Sequence, residues 1–127
     1  MTEPTLALRA LRGATTVAAN TPAAIAEAVR ELMETLVNRN RLGGEQVLTA
    51  IFSVTADLDA LFPASVARQL PGWGAVALLD CQQMAVVGDL PRCIRVLVQA
   101  WLPRPQELCH TYLREAQRLR PDRSSHN

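Results

Sequence analysis

The segment from Arg92 to Trp101, RCIRVLVQAW, sets an arginine inside a run that otherwise reads as a buried strand. Arg95 lies among Ile94 and the apolar residues 96–98, and β-branched residues of this kind favour strands. Because a guanidinium group cannot lose its charge, burying it requires an anion nearby. The segment therefore predicts either an ion pair with a carboxylate of the protein or the recognition of an anionic ligand.

The length and the charge balance exclude several classes of protein. With 127 residues, 49% of them apolar, the chain predicts a single domain, which we place at residues 1–122, followed by a polar tail at 123–127. The 13 basic and 12 acidic residues nearly cancel, so neither a nucleic acid nor a membrane is an expected partner. All 13 basic residues are arginines, which excludes a lysine Schiff base or a lysine general base.

The cysteines bear on metal binding and on location. Cys81, Cys93 and Cys109 are odd in number and widely spaced, without the pairing that is typical of a zinc site. Free thiols of this kind are typical of a reducing cytoplasm, where we expect the protein to be located. The N-terminus resembles neither a signal peptide nor a membrane span, and no metal or other cofactor is expected.

Hydrophobic spacing predicts strands and helices in mixed order. The predicted strands are Leu6–Arg12, Gln46–Thr55, Ala75–Cys81 and Cys93–Trp101. A long helix should begin with Thr21 as its cap and Pro22 at its first position, and Gly43-Gly44 should make the turn that ends it. With a short helix over Pro63–Leu70, this order predicts a single α/β or α+β domain.

The candidate functional residues are arginines. No spacing of serine, histidine and acidic residues predicts a catalytic triad, and no phosphate-binding loop is present. Arg12, Arg68, Arg95 and Arg120 would fit a ligand with two carboxylates if they converged, because guanidinium groups bind carboxylates in a bidentate manner. The alternatives are solvated element ends for Arg12 and Arg68, a structural ion pair for Arg95, and a surface turn for Arg120.

A set of motifs in fixed order links the chain to a known family. The motifs are RALRGATTV (9–17), TADLDALFPA (55–64), Arg68, GW (72–73), LPRCIRV (90–96), YL (112–113) and LRPD (119–122). Together they resemble the monofunctional chorismate mutases of the trimeric, mixed α/β class, over nearly the whole chain. The resemblance implies an α+β fold with a mixed sheet and helices on one face. It also implies a homotrimeric pseudo-α/β-barrel with active sites between neighbouring subunits.

The resemblance also bears on the C-terminal segment from Leu108 to Arg118. Apolar spacing and residue propensities favour a helix there, whereas the family's segment is largely extended. Because tertiary context overrides propensity, we expect the extended form.

The resemblance assigns roles to individual residues. Arg95, the candidate catalytic residue, would hydrogen-bond the ether oxygen of chorismate, while Arg12 and Tyr112 would bind substrate carboxylates. The other implied substrate-binding residues are Phe62, Ala64, Arg68, Leu78, Leu79, Asp80, Gln83, Leu119 and Arg120. The expected partners are then chorismate, its product prephenate, and two further copies of the chain.

Three positions depart from the pattern expected of the family. Ser65 stands where a lysine is common, Asp80 where a small residue or cysteine is common, and Gln83 where a glutamate often accepts the substrate hydroxyl. The Gln83 amide oxygen can still accept, so the expected function is the rearrangement of chorismate to prephenate without covalent catalysis. The alternatives are a trimeric dicarboxylate-binding regulatory module without catalysis and a structural assembly domain without a ligand.

Overall fold

The computed structural model describes residues 5–121, so the predicted tail and Asp122 of the LRPD motif lie outside the described residues. The helices and strands in chain order are β1 (Leu6–Thr16), α1 (Pro22–Asn40), β2 (Val47–Val54), α2 (Pro63–Ala67), β3 (Ala77–Gln82), β4 (Cys93–Pro103) and β5 (Thr111–Tyr112). Short 3-10 helices cover Gly44–Gln46 and Arg114–Leu119. Within the described range, no helix has the length and apolarity needed to cross a membrane.

The strands form one mixed sheet in the order β3-β2-β4-β1-β5. β4 runs antiparallel to both β1 and β2, whereas β3 is parallel to β2 and β5 is parallel to β1. A parallel pair needs a crossover connection, and α2 lies in the one between β2 and β3. The expected α+β class, with a mixed sheet and a few helices, is confirmed.

The start of α1 is set by the residues expected to cap it. The Thr21 side chain accepts a hydrogen bond from the Ala24 amide at 3.1 Å, and Pro22 takes the first helical position. The apolar stripe of α1 is buried, as its spacing predicts: Ile25, Ala28, Val29, Leu32, Met33 and Leu36. This stripe covers one face of the sheet and forms the main core with it.

The end of α1 differs from the prediction. Arg41, with a φ of 49°, is the left-handed residue that closes the helix, rather than Gly43 or Gly44. Gly44 is needed for packing instead, because a Cβ atom there would overlap the carbonyl group of Gly72.

The side chains of β4 alternate between the two faces of the sheet. Its inward residues are 0–4% exposed and pack against the helices: Ile94, Val96, Val98, Ala100 and Leu102. We call this side the inner face. The alternate residues point to the opposite side, the outer face: Arg95, Leu97, Gln99 and Trp101. Directly paired residues of neighbouring strands share a face, so Arg12 and Ser53 also belong to the outer face.

The C-terminal segment corrects both interpretations of it. The expected extended form is right for Thr111–Tyr112, which pairs with β1, but wrong for the 3-10 helix that follows. An α-helix from Leu108 is also wrong, because the Asn40 side chain binds both the amide and the carbonyl of Cys109. These backbone groups are therefore unavailable to a helix.

Candidate active site

A cleft of about 470 Å³ opens on the outer face of the sheet, beside the C-terminal segment. Six of the predicted site residues line it: Arg12, Gln83, Arg95, Tyr112, Leu119 and Arg120. The rest of the lining is Gly13, Ala14, Ile51, Ser53, Val96 and Leu97. Three arginines thus face one cleft, and no aspartate or glutamate is among the described residues that line it. Its size and charge suit a small anionic ligand.

The register of the central strands gathers these residues. Arg95 lies opposite Ala14 on β1 and opposite Ser53 on β2, while Arg12 lies opposite Leu97. These pairings place two arginines from distant parts of the chain on the same small area of the outer face.

Gly13 brings the C-terminal segment to the edge of the cleft. A Cβ atom at this position would lie 3.2 Å from the carbonyl oxygen of Thr111 and 3.1 Å from a methyl group of Val96. The missing side chain lets β5 pair closely with β1. Tyr112 is held in a small apolar cluster that lies apart from the main core and contains Ala14, Tyr112 and Ala116, with Leu90 and Leu119 packed against it.

Arg95 forms an ion pair while it lines the cleft. Its Nη2 atom lies 3.1 Å from Oδ1 of Asp89, and the two side chains are only 27% and 22% exposed. The structural ion pair and the ligand-facing arginine, which the sequence leaves as alternatives, are therefore combined in one residue. Nearby, burial raises the pKa of the Cys93 thiol, so that side chain remains neutral at neutral pH.

Gln83 meets a partner that the sequence did not predict. The Ser53 hydroxyl donates a hydrogen bond to the amide oxygen of Gln83 at 2.5 Å. The amide oxygen keeps a second lone pair, so it can still accept from a ligand hydroxyl as the sequence predicts, and the amide nitrogen is free of this contact and can donate.

The comparisons with known proteins agree on one family. Residues 8–123 match the family model described as chorismate mutase type I. The chorismate mutase AroH of Thermus thermophilus is 46% identical over 120 residues, which cover 93% of this chain and 98% of that protein. This chain belongs to the type I chorismate mutases.

Two further relatives support this assignment. The chorismate mutase AroH of Bacillus subtilis is 39% identical over 118 residues, 92% of this chain and 93% of that protein. A solved chorismate mutase from Clostridium thermocellum has a TM-score of 0.79 and 37% identity, and covers 86% of this chain and 97% of its own. The expected family and the isomerase class of this mutase are confirmed.

The remaining predicted site residues of this mutase lie elsewhere in the subunit. Phe62 and Asp80 line a second hollow of about 430 Å³, between the end of β3 and the loop that connects β2 to α2. Leu78 packs against the main core, and Leu79 is 55% exposed on the outer face. Neither hollow includes Ala64, Arg68, Leu78 or Leu79 in its lining.

Asp80 has a local role in this subunit. Its Oδ1 atom accepts a hydrogen bond from the Ala64 amide at 3.0 Å, at the start of α2. Burial raises the pKa of Asp80, and the Ala64 hydrogen bond and the charge of Arg68 oppose that rise. Asp80 does not line this subunit's own cleft, so its carboxylate does not face a ligand bound there.

Several functional neighbours escaped sequence reasoning. Leu97 shares the strand and the face of Arg95, so the two-residue period of β4 could have identified it. Ser53 and Ala14 depend on the pairing register, and Asp89 depends on the path of a loop, neither of which a single sequence specifies.

Proposed function

We propose that this isomerase rearranges chorismate to prephenate in the outer-face cleft, as a step toward phenylalanine and tyrosine, with Arg95 as the catalytic residue. The observation that carries the proposal is Arg95 itself, a partly buried guanidinium group that lines a cleft with two further arginines. One domain over residues 1–122 and a cytoplasmic location belong to the same proposal. The free cysteines Cys81, Cys93 and Cys109 are in keeping with that location.

Arg95 acts on the oxygen at which charge develops. In this pericyclic reaction, the ether C–O bond breaks ahead of C–C bond formation, so negative charge grows on the ether oxygen. A fixed N–H donor aimed at that oxygen binds the transition state more tightly than the ground state. Because neither a proton transfer nor a covalent step is needed, the reaction does not require a nucleophile or a general base.

Arg12, Tyr112 and Arg120 hold the substrate in its reactive shape. Chorismate reacts from a compact, diaxial form that is a minority in water, and its two carboxylates are the groups by which a protein can fix that form. Arg12, from β1, and Arg120, from the C-terminal segment, supply the positive charge that these carboxylates need. Leu119 covers the bound ring. Gln83 binds the substrate hydroxyl through its side-chain amide, whose N–H can donate and whose oxygen keeps a second lone pair beside the Ser53 hydrogen bond.

A homotrimer completes the site. Large apolar side chains on the outer face are exposed in the subunit: Leu8 43%, Ile51 37%, Leu79 55%, Leu97 39% and Trp101 47%. Such an extensive apolar face is typical of a protein interface. Two further copies of the chain cover this face. In each cleft, the second wall comes from a neighbouring subunit and consists of its Phe62, Ala64, Arg68 and Leu79. Leu78 and Asp80 of that subunit support this wall.

A direct assay tests the proposal. Purified protein is mixed with chorismate, the loss of ultraviolet absorbance is followed, and prephenate is identified by NMR. We expect wild-type turnover and a loss of roughly 10²–10³-fold in Arg95→Lys, which keeps the charge but loses the planar fork. Arg30→Lys, at an exposed position on α1, is the matched control and should retain full activity.

Two outcomes would refute the proposal. Chorismate that binds but is not converted by the wild-type protein would favour the non-catalytic regulatory module. Equal turnover by wild-type and Arg95→Lys proteins would show that Arg95 has no part in the reaction.

A further inference from the structure

The loop before β4 holds a carboxylate at a fixed place. The Asp89 amide donates to the carbonyl of Val86 at 3.1 Å, and Gly88 takes a φ of +84°, which closes a tight turn. Oδ1 of Asp89 accepts a hydrogen bond from the Leu90 amide at 2.8 Å. A backbone amide of the loop itself thus helps to orient the Asp89 side chain.

The end of this loop is attached to the body of the subunit. Leu90 packs against the apolar cluster that contains Tyr112. The backbone amide of Arg92 donates to Oδ2 of Asp57 at 2.9 Å, and the side-chain Nε of Arg92 donates to the carbonyl of Val17 at 3.0 Å. Since these contacts fix the residues that follow Asp89, the carboxylate has a defined position relative to β4.

The same Oδ1 atom of Asp89 accepts a hydrogen bond from Nη2 of Arg95 at 3.1 Å. This contact uses one of the five N–H groups of the guanidinium, and the Cys93 side chain is a further neighbour of Arg95, so some N–H groups remain for a ligand. Arg95 belongs to the lining of the cleft, whereas Asp89 does not. The carboxylate therefore contacts the guanidinium group without being part of the cleft lining.

We infer that Asp89 is a positioning residue, which holds the Arg95 guanidinium so that its remaining N–H groups face the reacting oxygen. This inference rests on the catalytic role proposed for Arg95. A long arginine side chain without this partner would sample several rotamers, and the substrate would have to order it during binding. Asp89 removes that cost in advance, as preorganised catalysis requires.

A competing role for Asp89 leads to opposite kinetics. If Asp89 occupied the N–H groups that the substrate needs, it would act as an internal competitor. Removing it would then increase kcat/KM. If Asp89 positions Arg95, its removal decreases kcat, with a smaller change in KM.

The experiment is a double-mutant cycle with chorismate as the substrate. Wild type, Asp89→Ala, Arg95→Lys and the double variant are compared for kcat and KM, with folding checked by circular dichroism. We expect Asp89→Ala to lower kcat about tenfold in the wild-type background and by about twofold or less in the Arg95→Lys background. Asp89→Asn, which keeps an oxygen that can accept from Leu90 and Arg95, should lose less than Asp89→Ala.

Two controls separate positioning from simpler effects. Glu34→Ala removes the same charge from an exposed site on α1 and should leave kcat unchanged. The Arg95 Nε–H signal, followed by NMR in the free protein, should be sharp in the wild type and broadened or lost in Asp89→Ala. This second measurement needs no turnover.

Three results would overturn the inference: an unchanged kcat in Asp89→Ala, a higher kcat/KM in that variant, or an equal loss in both backgrounds. The last result would mean that Asp89 supports only the loop. These patterns are distinct from failure of the proposed function, in which the wild-type protein itself would not convert chorismate.

Discussion

The inner and outer faces of the sheet are built from the same strands but differ in what completes them. Along β4, the inner residues are 0–4% exposed, whereas Leu97 and Trp101 on the outer face are 39% and 47% exposed. The helices of the same chain cover the inner face, while the outer face carries Arg95 and exposed apolar residues. The difference shows that the inner face is completed within the subunit, and it supports the proposal that further copies of the chain complete the outer face.

The largest expected effect comes from placing the same charge on each face. Leu102 is fully buried on the inner face, and Trp101 is its neighbour on the outer face. An unpaired buried carboxylate costs several kcal/mol, comparable with a domain stability of about 5–15 kcal/mol, so Leu102→Asp should abolish folding. Trp101→Asp should fold but fail to form trimers.

Circular dichroism and analytical ultracentrifugation distinguish these two variants. A folded monomer is expected for Trp101→Asp and loss of secondary structure for Leu102→Asp. Trimeric Trp101→Asp would contradict the proposal that the outer face is the subunit interface.

A smaller effect is expected from Asn40, which connects the core to the edge of the cleft. Its Nδ2 donates to the carbonyls of Leu36 and Cys109 at 2.9 Å, and its Oδ1 accepts from the Cys109 amide at 2.8 Å. Asn40→Ala removes these hydrogen bonds and leaves the half-buried Cys109 amide without its side-chain acceptor, which should lower the unfolding free energy in urea by about 1–3 kcal/mol. It should also lower kcat/KM, because Tyr112 follows the released segment.

The matched control is Asn38→Ala, at an exposed position of the same helix, which should change neither quantity. If Asn40→Ala lowered stability but left kcat/KM unchanged, the segment would not depend on this connection.

The side-chain amide of Gln83 is a polar group in the outer-face cleft, and its loss should have a moderate effect. Gln83→Leu removes the amide that binds the substrate hydroxyl, so kcat/KM should fall about 2- to 10-fold, which corresponds to the loss of one neutral hydrogen bond. Ser53→Ala, which frees the amide to rotate, should have a smaller effect of the same sign. A full loss of activity in Gln83→Leu would instead assign it a role in the chemical step.

The smallest effect concerns Asp80 on the inner side. Burial raises its pKa in the folded protein, so the folded state holds this proton more tightly than the unfolded chain. The contribution of Asp80 to stability therefore falls as pH rises from the ordinary aspartate pKa through the raised value. The free energy of unfolding of Asp80→Asn, minus that of the wild type, should increase as pH rises through this interval and stay constant above it. Denaturant unfolding at a series of pH values measures it, and a flat difference would be inconsistent with the raised pKa.

The same contrast explains how much the sequence could predict. The inner-face alternation of β4 and the apolar stripe of α1 depend on local spacing, which is why these elements were predicted close to their observed places. Local signals failed where long-range contacts decide the structure. The length of β1 depends on its pairing with β4, and the shape of the C-terminal segment depends on Asn40.

The candidate site divides in the same way. Residue types and the family resemblance were enough to find Arg12, Arg95 and Tyr112, which the fold brings together in one cleft. They were not enough to find Asp89 or the Ser53 contact, because the position of a loop relative to a strand is a property of the folded chain. The second wall proposed for the cleft would come from neighbouring subunits, and contacts between subunits cannot be read from the pattern of one sequence.

The most direct measurement is a crystal structure of the complex with an oxabicyclic mimic of the transition state. The account predicts a guanidinium nitrogen of Arg95 about 2.7–3.1 Å from the ether oxygen of the mimic, with Nη2 still held by Asp89. A bound mimic whose ether oxygen has no contact with Arg95, with the whole guanidinium group turned toward Asp89, would contradict it.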